Sequence, residues 1–257
     1  MSYFKDNLSS KVSVSLERIA DFSAAKKIRR NFPEGINSLP DGFTVTYHSG
    51  ALKTTDNTPE SVIIALEHGA KVVEVDVTFW PDGTPCVIHA SNPKFGAGVE
   101  LSKILAEVAK SPDCQMNLDL KSRSNLPAVD RLVKEYGLFE RVFYTGVFED
   151  WVPDVSANSD IPYFLNYKTD KNRRNDPAYA QELADKIKSL GAIGLNTHYE
   201  NATDCVTQIL HKNGLLVSAW TANSISQQCR LLAMGVDNIT TKRPLRLMRC
   251  IDALTKR

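Results

Sequence analysis

The sequence predicts an α/β protein, a single-domain (β/α)8 TIM barrel with an N-terminal helical leader. The chain has 257 residues, which suits one large core of this class. From residue 43 onward, short apolar runs alternate with amphipathic stretches, as in a parallel sheet with crossover helices. Polar side chains stand at the ends of several runs, where such barrels hold their sites. A doubly wound open sheet is the alternative, but no glycine-rich turn follows the first strand.

The predicted leader comprises the first 40 residues. Four apolar residues between positions 16 and 22 approximate the stripe of an amphipathic helix. The segment NFPEGINSLPDG, residues 31–42, then interrupts the helical pattern with two prolines and two glycines. We therefore divide the chain into a leader, residues 1–40, and a barrel domain, residues 41–257. We expect the leader to cover the bottom of the barrel, and contact with a partner is the alternative.

Nine apolar runs are candidate strands, and six amphipathic stretches are candidate helices. The predicted strands are residues 43–48, 71–79, 86–89, 115–121, 141–148, 161–167, 192–198, 214–223 and 235–241. The predicted helices are residues 59–68, 101–110, 125–136, 177–190, 201–213 and 224–234. Nine runs fit eight barrel strands if residues 86–89 form the return arm of a hairpin.

Composition narrows the class of protein. The formal net charge is +1, from 31 basic and 30 acidic residues, which argues against a nucleic-acid binder. Five scattered cysteines without CxxC spacing argue against a disulfide framework or a zinc site. No apolar stretch has the length of a signal peptide or of a membrane span. We expect a cytoplasmic protein with no nucleic-acid partner and no integral membrane segment, and the oligomeric state stays open.

The run VVEVDVTF, residues 72–79, carries two carboxylates inside a strand that otherwise looks buried. Side chains alternate along a strand, so the valines face one way and Glu74 and Asp76 face the other. In a barrel these carboxylates point inward at the C-terminal mouth. Unpaired buried carboxylates are costly, so a metal ion or basic partners must compensate them.

A hairpin is predicted to follow this strand. The sequence WPDGTP supplies a turn centred on Asp82 and Gly83. Symmetric pairing about that centre sets Asp76 opposite His89. The simplest alternative to a functional role is a carboxylate–histidine pair that only holds the strand end.

Other predicted strands also end in polar residues. His48 follows the first strand, Asn117, Asp119 and Lys121 share one face of another, and Trp220 lies near the end of a third. Three carboxylates and two histidines at one barrel mouth suit a hard divalent cation with acid and base partners.

Several ordered motifs resemble the glycerophosphodiester phosphodiesterase family, within the TIM-barrel phosphodiesterases related to phosphatidylinositol phospholipase C. The matching motifs are His48-Ser49-Gly50, Asp56-Asn57-Thr58, the block from Ala65 to Val77, the block from Asp82 to His89, Asn117-Leu118-Asp119-Leu120-Lys121, Trp220-Thr221-Ala222-Asn223 and the block from Gly235 to Pro244. The resemblance implies metal-dependent hydrolysis of glycerophosphodiesters to an alcohol and glycerol 3-phosphate.

The resemblance also implies a role for each matching position. One divalent metal ion, Mg2+ or Ca2+, would be held by Glu74, Asp76 and Asp119. The catalytic residues would be His48 and His89 as acid and base, with Lys121 neutralising the phosphate. The substrate-binding residues would be Ser49, Asn117, Trp220 and Asn223.

The sequence departs from the family pattern at several positions. Ser49 replaces the arginine that grips phosphate, and serine cannot give a bidentate, charged contact. Asp119 replaces a glutamate, Ala90 replaces the acid after the second histidine, and Lys242 replaces a late acid. Only 29 residues separate His89 from Asp119, where the family usually carries a longer insertion.

The third acid and the short insertion also resemble the sphingomyelinase D/phospholipase D toxins. This second resemblance leaves open the cleavage of lysophospholipids to a cyclic phosphate. The replacements at Ser49 and Ala90 leave open a catalytically altered barrel that binds a phosphorylated ligand. Tyr163, Tyr167 and Asn196 lie on strands that either line the pocket or pack in the core.

Overall fold

The computed structural model describes residue 36 and residues 38–255. Within this part of the chain, eight parallel strands alternate with eight helices and close into a barrel. The (β/α)8 prediction is therefore confirmed. The helix predicted near the N-terminus lies outside the described residues. A search of the described helices for one that could cross a membrane finds none.

The strands and helices follow the predicted order. The strands are β1 Thr44–Tyr47, β2 Val72–Phe79, β3 Pro85–Val87, β4 Val99–Glu100, β5 Gln115–Leu120, β6 Val142–Val147, β7 Tyr163–Asn166, β8 Gly194–His198, β9 Leu216–Trp220 and β10 Asn238–Thr241. The helices are α1 Pro59–Glu67, α2 Leu101–Val108, α3 Leu126–Glu135, α4 Val152–Asn158, α5 Pro177–Ser189, α6 Asp204–Lys212, α7 Ile225–Met234 and α8 Pro244–Thr255.

Three of these elements are not among those predicted from the sequence. Helix α4 buries only Val152 and Val155, which is too few positions to show a 3.6-residue period. Helix α8 begins with a proline and buries a stripe that includes Leu247, Cys250 and Leu254, a signal that the sequence did contain. Strand β4 has two residues and pairs only with β3. All three elements lie outside the eight-stranded barrel or on its surface.

The barrel closes where β1 pairs in parallel with both β10 and β2. The buried amide of Asn238 spans this seam, donating to the hydroxyls of Thr44 and Thr46, each at 2.7 Å. The first and last described strands are therefore joined by side chains as well as by backbone pairing.

The barrel interior is largely polar, although Phe143 and Phe164 also face it, whereas the outer face of the barrel is apolar. Alternate residues of β2, Val73, Val75 and Val77, belong to the hydrophobic core. The inward positions of neighbouring strands carry hydrogen-bonded polar side chains, as in Asn117 with Thr145 at 2.8 Å and Asn166 with Asn196 at 2.8 Å. The main core therefore lies between the sheet and the helices, and the interior is left for polar chemistry.

The hairpin after β2 forms, but its predicted register is wrong by one residue. Val77 pairs with Val87, so residue 88, not His89, stands opposite Asp76. The loop has three residues, 81–83, because the Trp80 amide donates to the Thr84 carbonyl and Gly83 adopts a left-handed φ of 83°. The sequence analysis assumed a two-residue turn centred on Asp82 and Gly83.

Candidate active site

A cavity of about 650 Å³ opens at the C-terminal ends of the parallel strands. Its walls include the predicted residues His48, Glu74, Asp76, His89, Asn117, Asp119, Lys121 and Trp220. Loops and strand ends from all around the barrel therefore converge on one site, as the sequence predicted from its polar strand ends.

Three carboxylates form the floor of this cavity. Glu74, Asp76 and Asp119 each offer an oxygen atom, and these atoms lie within 4.8 Å of one another. Parallel pairing of β2 with β5 places Asp76 beside Asp119. Burial, followed by the charges of Asp76 and Asp119, holds the pKa of Glu74 well above its usual value. We call these three residues the acidic triad.

Lys121 is the cation nearest to the acidic triad. Its Nζ atom lies 2.6 Å from Asp119 Oδ2 and 2.9 Å from Asp76 Oδ1. Burial alone would lower the pKa of Lys121, but the charges of Asp119 and Asp76 outweigh it and raise that pKa. Burial likewise tends to raise the pKa of Asp76, but Lys121 and the Asn57 amide bring it below its usual value.

Asn57 fixes the orientation of Asp76. The Asn57 amide donates to Asp76 Oδ2 at 2.6 Å, and the Asp76 backbone N–H donates back to Asn57 Oδ1 at 2.9 Å. The Asn57 backbone is left-handed, with φ 60°, a conformation that asparagine tolerates better than most residues. Asn57 is known from the sequence only as part of a motif, because Asp76 lies 19 positions further along the chain and no local pattern shows the contact.

His48 lies on one side of the acidic triad, just after β1. Its Nδ1 atom lies 2.7 Å from the Ser49 carbonyl and 3.5 Å from Glu74 Oε2. A carbonyl oxygen only accepts, so Nδ1 carries the hydrogen and Nε2 keeps its lone pair. Burial is the main cause of the lowered pKa of His48.

His89 lies on another side of the triad, in the loop after β3. Its Nδ1 atom is 3.1 Å from Asp76 Oδ2, and 78% of its side chain is exposed. The predicted contact between His89 and Asp76 is therefore present despite the shifted register. Both histidines are held at Nδ1, which leaves Nε2 of each available to a ligand.

Two predicted substrate-binding residues do not line this cavity. Ser49 is buried, and its hydroxyl accepts the Asn57 backbone N–H at 2.5 Å. Asn223 accepts the Lys242 backbone N–H at 2.9 Å through its Oδ1 atom. In this structure both residues position neighbouring backbone, and their substrate contacts stay predictions.

A second cavity, of about 720 Å³, adjoins the first. The two share Phe148, Trp220, Asn166 and Asn196 in their walls. Phe148 and Trp220 are among the exposed large apolar side chains, so they offer ring faces to a ligand. Tyr167 lines the second cavity, whereas Tyr163 packs in the core and donates to the Leu190 carbonyl. The sequence analysis had left the roles of Tyr163, Tyr167 and Asn196 open.

The acidic triad fits a hard divalent cation. All three donors are carboxylate oxygens, which Mg2+ and Ca2+ prefer over the softer sulfur and nitrogen ligands of zinc. The pKa of Glu74 is raised by burial and by the nearby carboxylates, although the Ser49 N–H and Lys121 partly compensate its charged form. A cation bound here would supply the remaining compensation.

The closed barrel and its acidic, histidine-flanked mouth define the class of TIM-barrel phosphodiesterases. Within that class, the model of the glycerophosphoryl diester phosphodiesterase family matches residues 100–246. The chain belongs to this family, which confirms the predicted family and enzyme class. The matched range includes Asp119, Lys121 and Trp220 but begins after both histidines, so the first half of the site depends on the structural geometry.

Solved structures support the same fold. A Silicibacter pomeroyi DSS-3 protein named for this activity has 20% identity and a TM-score of 0.69, covering 87% of this chain and 97% of its own. A Parabacteroides distasonis glycerophosphodiester phosphodiesterase has 21% identity and a TM-score of 0.67, covering 82% and 97%. An Oleispira antarctica phosphodiesterase, in complex with the product sn-glycerol-3-phosphate, has 19% identity and a TM-score of 0.67, covering 83% and 97%. Among curated protein sequences no match is found.

Proposed function

We propose that this protein hydrolyses glycerophosphodiesters to an alcohol and glycerol 3-phosphate, using one divalent cation, Mg2+ or Ca2+. The observation that carries the proposal is the placement of His48 and His89 around the acidic triad, each with Nε2 available. The Oleispira antarctica relative, which holds sn-glycerol-3-phosphate as its product, supports the choice of substrate class.

The two histidines move the protons of the reaction. A water oxygen forms a bond to phosphorus while the bond from phosphorus to the alcohol oxygen breaks. One histidine takes the proton from the water, and the other gives a proton to the departing alcohol. A cation at the acidic triad would stabilise the charge on the phosphoryl oxygens. Lys121, already beside Asp76 and Asp119, adds a second positive charge.

The alcohol group of the substrate occupies the second cavity. Phe148 and Trp220 line both cavities, so a substrate whose phosphate meets the acidic triad extends along these rings. Asn117 and Thr145, which are hydrogen-bonded to each other, complete the polar wall on the other side. Ser49 and Asn223 act on the substrate indirectly, by holding Asn57 and Lys242.

We further propose a reducing compartment and one barrel domain. All five cysteines are free thiols, which suits the cytoplasm. The barrel domain would extend over residues 41–257, with residues 1–40 as its leader.

The test is turnover of glycerophosphocholine by the purified protein with Mg2+ or Ca2+, followed by phosphorus NMR. We expect glycerol 3-phosphate as the product and loss of activity on chelation, restored by adding the metal. His48→Ala and His89→Ala should each lower kcat by about 10²- to 10⁴-fold. His68→Ala is the matched control, because His68 is exposed at the end of α1, outside the cavity wall, and its ring contacts the Ile64 carbonyl.

The products separate this proposal from its alternatives. Full activity in both histidine variants would contradict the mechanism. A cyclic phosphate as the product would mean that a substrate hydroxyl, not water, attacks phosphorus. Stabilisation by glycerol 3-phosphate without turnover of any phosphodiester would identify an altered barrel that only binds phosphorylated ligands.

A further inference from the structure

Two cationic side chains line the active-site cavity among the described residues, Lys121 and Lys242. Lys121 is held by two carboxylates of the acidic triad. Lys242 follows β10 and lies on the wall near His48. Its Nζ atom pairs with Asp56 Oδ2 at 2.6 Å, and the two side chains are 35% and 52% exposed. Exposed pairs of this kind are weak, so Lys242 is free to exchange Asp56 for a stronger anion.

The backbone holds Lys242 firmly at the cavity wall. Its N–H donates to Asn223 Oδ1 at 2.9 Å, and the next residue, Arg243, donates its N–H to the Thr241 hydroxyl at 2.9 Å. Only the flexible stem and the ammonium of Lys242 therefore have to move when a ligand arrives.

The loop after β1 is shaped around the Asp56 carboxylate. A Cβ atom on Gly50 would lie 1.7 Å from Asp56 Oδ1, and Gly50 has a left-handed φ of 74°. Asp56 also precedes Asn57, which binds Asp76 of the acidic triad. The pair of Lys242 and Asp56 therefore sits at a fixed position relative to the presumed metal ligands.

The position next to His48 carries no charge of its own. Ser49 is buried, is absent from the cavity wall, and has its hydroxyl bonded to the Asn57 backbone N–H. Lys242 lies on the His48 side of the cavity, because the His48 backbone N–H donates at 3.1 Å to the carbonyl of Thr241, the residue before Lys242. Lys242, which follows β10, therefore supplies a positive charge on the His48 side of the cavity.

We infer that Lys242 binds a non-bridging phosphate oxygen of the substrate and that Asp56 holds its ammonium when no anion is bound. This inference rests on the proposed function and assigns part of its substrate site. The ligand chemistry is a phosphate monoanion or dianion at the His48 side of the acidic triad. Lys242 therefore stays protonated and paired with an anion in both states, with Asp56 when the site is empty and with phosphate when a ligand is bound.

The first experiment measures steady-state kinetics and inhibition by inorganic phosphate. Lys242→Met keeps the length of the stem but removes the charge. We expect KM for glycerophosphocholine and the phosphate inhibition constant to rise together by about tenfold or more, with a smaller change in kcat. Lys242→Arg should restore most of the affinity. Lys71→Met is the control, since Lys71 is an exposed lysine that pairs with Asp113 away from the cavity.

Asp56→Asn separates ligand binding from a merely structural ion pair. If Asp56 holds the Lys242 ammonium while no anion is bound, this variant should lower KM, because phosphate no longer competes with the carboxylate. If the pair only stabilises the fold, Lys242→Met and Asp56→Asn should both lower Tm and leave KM unchanged. That second pattern would overturn the inference.

A binding measurement keeps this test separate from the proposed function. Inorganic phosphate should raise the Tm of the wild-type protein more than that of Lys242→Met, whether or not the protein turns over a phosphodiester. Equal shifts in the two proteins would reject the role of Lys242. An inactive wild type with unequal shifts would reject the proposed hydrolysis but leave Lys242 as a phosphate-binding residue.

Discussion

Asn57 illustrates how one residue connects two parts of the site. Its side chain exchanges two hydrogen bonds with Asp76, and its backbone N–H reaches Ser49. It therefore ties the loop after β1 to the acidic triad on β2. Groups that orient presumed metal ligands in this way commonly affect metal affinity nearly as much as the ligands themselves.

Replacing Asn57 should weaken metal binding. Asn57→Gly keeps the left-handed backbone but removes the amide, so we expect Mg2+ or Ca2+ affinity to fall by about 10- to 100-fold in calorimetric titrations. Asn57→Ala should lower the affinity similarly and lower Tm further, because alanine strains at a φ of 60°. Asn158→Ala, an exposed asparagine on α4, serves as the control. Unchanged metal affinity in Asn57→Gly would contradict the orienting role.

At the residue scale, the sequence predicted what depends on strand alternation and on the family motifs. Glu74, Asp76 and Asp119 meet because alternate strand residues share a face and barrel strands end at one mouth. The contacts of Asn57 and Lys242 span 19 and 186 residues, and no local pattern encodes them. Ser49 was predicted to bind substrate from its place in a motif, whereas the structure turns its hydroxyl toward Asn57.

Among the elements, β6 carries a close backbone approach next to the acidic triad. Gly146 has a left-handed φ of 75°, and pairing of β6 with β7 is irregular between Tyr144 and Val147. A Cβ atom on Gly146 would lie 2.4 Å from the Leu120 carbonyl and 2.5 Å from Asp119 Oδ1. The Gly146 N–H donates to Asn166 Oδ1 at 2.9 Å. The irregular strand thereby brings backbone directly against the acidic triad.

A side chain at Gly146 should disturb both stability and the triad. Gly146→Ala adds a left-handed strain and a backbone clash, which together should destabilise the fold by about 2–4 kcal/mol. We expect Tm to fall by about 5–15 °C in thermal unfolding. Gly137→Ala is the matched control, because Gly137 is also left-handed, with φ 67°, but its Cβ would meet nothing within 4 Å. Equal losses in the two variants would mean that only backbone strain matters.

At the element scale, long periodic segments were predictable and short ones were not. All nine predicted strands exist, with residues 86–89 as the return arm of a hairpin. The predicted hairpin register was wrong because the loop length depends on the backbone conformation of Gly83, which the amino-acid sequence alone does not specify. Helix α4 was missed because it buries only two apolar side chains.

For the whole molecule, the notable feature is a barrel interior in which hydrogen-bonded polar groups predominate, with the contacting rings of Phe143 and Phe164 as an apolar part. Barrels of this class usually fill their interior with branched apolar residues. Here the inward positions of β8, β9 and β10 include Asn196, Ser218 and Asn238, all buried. Among the described residues, Thr207 carries the one buried side-chain polar atom found without a hydrogen-bond partner. The interior is therefore polar but satisfied, which favours a single register.

Replacing Asn238, whose amide joins β1 to β10, tests how much the polar interior contributes to stability. Asn238→Leu leaves the Thr44, Thr46 and Ser218 hydroxyls without their partner, which should destabilise the fold by about 1–3 kcal/mol. Chemical denaturation should show a lower midpoint with the same slope. Asn172→Leu, at an exposed position, is the control. A midpoint equal to that of the wild type would show that water or nearby groups replace the lost bonds.

At this largest scale, the alternation of runs was enough to predict the barrel, because strand followed by helix leaves few ways to close a sheet. The arrangement of polar side chains inside the barrel was only partly predictable from the sequence. Strand alternation shows which residues point inward, but the partners of each amide depend on the stagger between strands.

The seam between β1 and β10 also has a consequence for biosynthesis. Thr44 meets Asn238 across 194 residues, so β1 keeps one unpaired edge until the last strand has been made. At about 5–20 residues per second, that interval is on the order of 10–40 s. Throughout it the nascent sheet is open, and an exposed strand edge invites pairing with other chains. Chaperone protection of the growing chain would matter most during this interval, before the ring of strands is complete.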